Sequence, residues 1–84
     1  MTYEEAVKTI PAGIYRHYKG HEYEVLYIAH HSETLEPMVI YRALYGKREI
    51  WARPAVMWNE TVYRDGKEVT RFSLMEKKED SGNE

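Results

Sequence analysis

A chain of 84 residues with no cysteine, twelve basic and fourteen acidic side chains is one small domain without a disulfide framework, thiol nucleophile or thiolate-bound zinc. Its apolar runs span only a few residues, far below the roughly 20 that a bilayer-spanning helix needs. The acidic opening Met1-Thr2-Tyr3-Glu4-Glu5 lacks the basic and apolar parts of a secretory leader, so the expected location is cytoplasmic, with no membrane partner.

Thr2 to Ile10 predicts a short helix. Thr2 and Glu5 have capping-box spacing, and Tyr3, Ala6, Val7 and Ile10 fall on one apolar face. Pro11 and Gly13 end it, and residues 1–12 read as a helical extension. From Gly13 the period changes to two. Ile14–Tyr18 reads as a strand that stops at the turn signal Lys19-Gly20. Tyr23–His30 reads as a second strand, with Tyr23, Val25, Tyr27 and Ala29 on one side and Glu24, Leu26, Ile28 and His30 on the other. The polar stretch from His31 to Pro37 is a loop.

Met38–Tyr45 reads as the longest strand, with Ile40, Arg42 and Leu44 alternating against Val39, Tyr41, Ala43 and Tyr45. After a turn at Gly46, Glu49–Arg53 returns until Pro54 removes a ladder donor. Pro54–Trp58 is too short for a full helix and too apolar for open solvent, which predicts a single helical turn or bent connection that plugs the core. Asp65-Gly66 predicts a type I′ hairpin that pairs Arg64 with Lys67, Val62 with Val69 and Thr61 with Thr70; a Glu60–Arg71 ion pair follows from the same register. Beyond Leu74 periodicity is lost, and residues 75–84 read as a flexible acidic tail. That tail carries the whole net charge of −2, leaving residues 1–75 neutral, so net charge alone argues neither for nor against an anionic partner.

These elements predict a mostly β domain over residues 13–74: a small SH3-like antiparallel barrel or roll of five to six strands with a short N-terminal helix. Eight tyrosines and two tryptophans beside one phenylalanine give nearly every ring a polar handle, so core and binding surface must share residues.

The blocks Gly13-Ile14-Tyr15-Arg16-His17-Tyr18-Lys19-Gly20, Tyr23-Glu24-Val25-Leu26, His31-Ser32-Glu33-Thr34, Tyr41-Arg42-Ala43-Leu44-Tyr45-Gly46 and Trp51-Ala52-Arg53-Pro54 resemble a small bacterial family known only as domain of unknown function 1653. The resemblance covers Gly13 to Phe72 and implies a compact, mostly β, SH3-like roll with no assigned activity. The helix lies outside it, and Trp58 stands where a phenylalanine is common in that family.

Arg42, alternating with Ile40 and Leu44, needs a carboxylate, carbonyls or a bound anion if that side faces inward; Glu24, Glu33 and Glu60 are the internal candidates. Arg16 and Arg53, near strand ends, can join it, and the interleaved Tyr15-Arg16-His17-Tyr18-Lys19 suits stacking beside cations. In His30-His31-Ser32-Glu33-Thr34 the hydroxyls and Glu33 fit turn shaping better than metal ligation, because adjacent histidines on extended chain point apart. The leading reading is a non-enzymatic binding module whose recess of Arg16, His17, His31, Glu33, Arg42 and Arg53 takes a small anionic or nucleotide-like ligand or a nucleic-acid end. It assigns no catalytic residue, cofactor or metal. The alternatives are a protein-interaction groove of Tyr41, Tyr45, Trp51 and Trp58, and a small hydrolase centred on His31 and Glu33. The tyrosine-rich strands leave room for a homodimer.

Overall fold

The computed structural model describes residues 1–78. Helix α1 (Tyr3–Thr9) begins at the expected capping box: the Glu5 amide donates to Thr2 Oγ1 over 3.1 Å, and the Thr2 amide donates to Glu5 Oε1 over 2.8 Å. A helix this short is stable only when docked. Ala6 and Ile10 are buried on the sheet, Tyr3 stacks on His30, and Val7 stays exposed, so the apolar face is narrower than its spacing suggests.

Among the described residues seven strands follow: β1 (Gly13–His17), β2 (Glu22–His30), β3 (Pro37–Ala43), β4 (Ile50–Pro54), β5 (Thr61–Arg64), β6 (Lys67–Thr70) and β7 (Phe72–Lys77). Between β4 and β5 lies the expected single turn, helix α2 (Ala55–Trp58). A five-stranded antiparallel sheet runs in the order β4-β3-β2-β1-β7, and β5 and β6 form a separate hairpin. The molecule is a small, mostly β antiparallel roll, with one more strand than the upper count expected.

The extra strand, β7, starts at Phe72 inside the predicted domain and runs into the stretch assigned to the tail. Met75, Glu76 and Lys77 continue β7, with Gly13 opposite Lys77 and Ile14 opposite Glu76. Main-chain pairing needs no side-chain alternation, so a strand rich in charge left no periodic signal. Gly13 makes this pairing possible: its φ is +153°, and a Cβ there would collide with the Glu76 carbonyl oxygen and lie 3.0 Å from Lys77 Cα. The remainder of the tail, residues 79–84, lies outside the described residues.

In β2 a register shift between Val25 and Tyr27 reverses which side faces in. Tyr23 and Val25 face the core as their alternation suggests, but Ile28 packs against it next, while Tyr27 is 70% exposed. In β3 the inward residues are Val39, Tyr41 and Ala43, which puts Ile40 and Arg42 on the outer face. The plug is Trp58, fully buried, stacked on Phe72 at 3.8 Å and met edge-on by Tyr15 and Tyr41.

Asp65 and Gly66 have φ of +54° and +77°, the two positive values of a type I′ turn, and the hairpin has the expected register. Arg71 then ties the hairpin to the sheet. Its amide donates to the Glu60 carbonyl over 2.8 Å, its carbonyl accepts from the Tyr18 amide over 2.9 Å, and its guanidinium pairs with Glu60 at 3.1 Å. Among the described residues no helix is long and apolar enough to cross a membrane.

Candidate functional site

The polar residues singled out in the sequence fall at different ends of the sheet. His31 and Glu33 sit in the loop after β2, whereas His17 lies beside the turn before it, where its amide donates to the His21 carbonyl over 2.8 Å. His31 Nδ1 accepts from the amides of Glu33 and Thr34 at 3.1 and 3.3 Å, so this ring closes its own loop, while of the hydroxyls expected to shape the turn Thr34 accepts from the Glu36 amide at 3.3 Å. Arg42 lies on the outer face, half-buried, and donates to the Arg48 carbonyl at 3.3 Å. The expected pairing of Arg42 with Glu24, Glu33 or Glu60 is absent among the described residues: Glu24 stands opposite it in register, but the two form no salt bridge, and Glu60 takes Arg71 instead. Facing outward, Arg42 keeps its solvation and needs no buried counter-ion. Arg16, exposed on the face opposite His17, pairs with Glu22 at 2.9 Å.

Arg53 stands opposite the inward-facing Val39, and its charge reaches His17 and Tyr23. His17 points inward from the end of β1, with its ring edge-on to Phe72 at 5.0 Å and to Tyr23 at 6.4 Å. Its Nδ1 accepts the Lys19 amide proton over 3.1 Å, so the neutral ring carries its proton on Nε2. Burial lowers the His17 pKa, and the positive charges of Arg71, Lys19, Arg53 and His21 lower it further. Tyr23 moves the other way: burial and its hydrogen bond to Tyr45, 2.8 Å between hydroxyl oxygens, push it well above the ordinary phenol range, with Arg53 opposing the shift. Tyr45 in turn packs on His21 at 4.2 Å, and Tyr41 meets Tyr23 at 5.5 Å.

The site is therefore a rim of tyrosines and imidazoles under a local excess of positive charge. Among the described residues Arg71 has a carboxylate partner in Glu60, and neither Arg53 nor Lys19 has one. Sequence reasoning did not single out Tyr23, His21 or Arg71 as neighbours of this end of the sheet. Their one visible signal was the Glu60–Arg71 register, which fixes where Arg71 lies but not what faces it.

The proposed aromatic groove divides. Trp51 is 52% exposed and Tyr45 42% exposed, but Trp58 is sealed in the core and lines no surface. His31 and Glu33 stay together in one loop, but His30 is stacked on Tyr3, and among the described residues no three His, Asp or Glu side chains gather as metal ligands.

Fold and site together define a small β-roll domain with a cationic, tyrosine-rimmed end. A family model described as "Protein of unknown function (DUF1653)" matches residues 13–74, and the chain belongs to that family. The crystal structure of a DUF1653 protein from Bordetella bronchiseptica is 35% identical and superposes with a TM-score of 0.75, covering 82% of this chain and 91% of that one. No curated protein matches.

Proposed function

We propose that this domain is a binding module for a small anionic, nucleotide-like ligand held at the His17 end of the roll. The observation that supports the reading is the placement of cationic residues there: the Lys19 amide donates to His17 Nδ1, the Arg71 carbonyl accepts from the Tyr18 amide, and Arg71 alone of these cations has a carboxylate partner, Glu60, among the described residues. Their charges, with that of Arg53, also lower the His17 pKa. A phosphate supplies the missing negative charge and accepts bidentate hydrogen bonds from a guanidinium. The hydroxyls of Tyr23 and Tyr45 add polar contacts, and the half-exposed Tyr45 ring offers a face for a planar group.

Isothermal titration calorimetry with inorganic phosphate and AMP tests this. Binding should weaken about tenfold or more in Arg53→Gln, the loss typical of one hydrogen bond to a charged group. No heat from either probe at millimolar concentration overturns the reading.

A further inference from the structure

Strand β4 is an edge of the five-stranded sheet and is blunted only at its end, by Arg53 and Pro54. Both edges expose apolar side chains, Leu74 and Met75 on β7 and Ile50 and Trp51, each 52% exposed, on β4, but β7 runs on into Glu76 and Lys77. The Ala43 amide donates to the Glu49 carbonyl over 3.0 Å, so Ala43 and Glu49 are a bonded pair. Alternation along the ladder then makes Tyr41/Trp51 and Val39/Arg53 bonded pairs too, and turns the amides and carbonyls of Ile50 and Ala52 toward the open edge.

We infer that this edge pairs antiparallel with β4 of a second copy, about a two-fold axis at Trp51. In that register Trp51 meets Trp51, Ile50 meets Ala52, and Glu49 meets Arg53. The edge suits its own copy in three respects. The outward amides of Ile50 and Ala52 are the groups a bonded pair requires, and they exchange with Ala52 and Ile50 of the other copy. Two-fold symmetry turns the Glu49–Arg53 contact into two pairs, which place opposite charges across the seam. Pro54, which has no amide proton, ends the pairing at one side, and Arg48, at φ +55°, bends the chain away at the other. Continuity of the two sheets also brings the outer-face residues Ile40 and Tyr27 of each copy into one ten-stranded surface.

Arg53 takes part here and in the proposed ligand site, so the two readings need separate measurements. Oligomeric state is read without ligand, by sedimentation equilibrium and light scattering across a concentration series. The full chain, 10.0 kDa as a monomer, should approach twice that mass. Ala52→Pro removes an edge-facing amide that β3 does not use, and should return the protein to a monomer that keeps its circular dichroism spectrum. Glu49→Arg should weaken association about tenfold or more, and Glu49→Arg/Arg53→Glu should restore it. A wild-type chain that stays at monomer mass at high concentration overturns the inference. So does a dimer that persists in folded Ala52→Pro, or a charge reversal that the second substitution does not rescue. Ligand binding measured on the Ala52→Pro monomer tests the function separately.

Discussion

Trp58 offers the sharpest test of the packing account, because one side chain carries opposing terms. It is fully buried against Phe72, Tyr15 and Tyr41, yet its indole Nε1 has no hydrogen-bond partner among the described residues. Trp58→Ala removes the whole plug and should destabilise the domain by about 3–5 kcal/mol, the range for deleting a buried aromatic. A small domain has only about 5 kcal/mol or slightly more in total, so that variant should keep at most about 2 kcal/mol and show a measurable unfolded fraction at room temperature. Trp58→Phe is different. Losing the second ring forfeits about 1–2 kcal/mol of burial and packing, while removing the unpaired N–H recovers about 1–3 kcal/mol of desolvation. The two nearly cancel, and Trp58→Phe should lie within about 1 kcal/mol of wild type. Urea titration followed by far-ultraviolet circular dichroism reads both variants, with the slope confirming two-state behaviour. A loss above about 3 kcal/mol in Trp58→Phe would refute the reasoning, since it would mean that the indole N–H is satisfied or that the second ring is irreplaceable.

Gly13→Ala should cost about 2 kcal/mol or more, because the new methyl meets the Glu76 carbonyl and must push β7 off β1. Urea midpoints measure it, and unchanged stability would mean that β7 does not pair there. Tyr15 has a pKa pushed up to about 12 by burial, and its hydroxyl donates to the Pro11 carbonyl over 2.7 Å. The unfolded chain ionises near pH 10, so this tyrosine's contribution is complete below about pH 10 and is lost as pH rises toward 12. Tyr15→Phe should lower stability by about 1 kcal/mol at pH 7 and flatten that alkaline decline; an unchanged alkaline limb in a pH series of urea titrations would contradict it.

Local chemistry was the legible part of this fold. The Thr2/Glu5 box, the Asp65-Gly66 hairpin with its register, and the Trp58 plug depend on neighbouring residues, and each was readable from spacing. The features that escaped depend on long-range pairing. The bulge after Val25 turns Tyr27 out and Ile28 in, and no alternating pattern records where a strand gains a residue. β7 beyond Leu74 exists because Gly13 lets it approach. The site was partly legible for the same reason. His17 and Arg53 were visible as polar residues at strand ends, but which face each occupies follows from strand register, and Arg71 comes near through the main-chain bond from the Tyr18 amide to its carbonyl.

The ring protons of His17, followed by NMR through a pH titration with and without inorganic phosphate, test the central claim most directly. Without phosphate, burial and the surrounding cations hold the His17 pKa below its ordinary 6.5. A bound phosphate offsets the charges of Arg53, Arg71 and Lys19, so its presence should raise that pKa and couple binding to proton uptake. A His17 titration that phosphate leaves unmoved, at concentrations well above those that perturb an ordinary surface histidine, would contradict an anion site at this end of the roll.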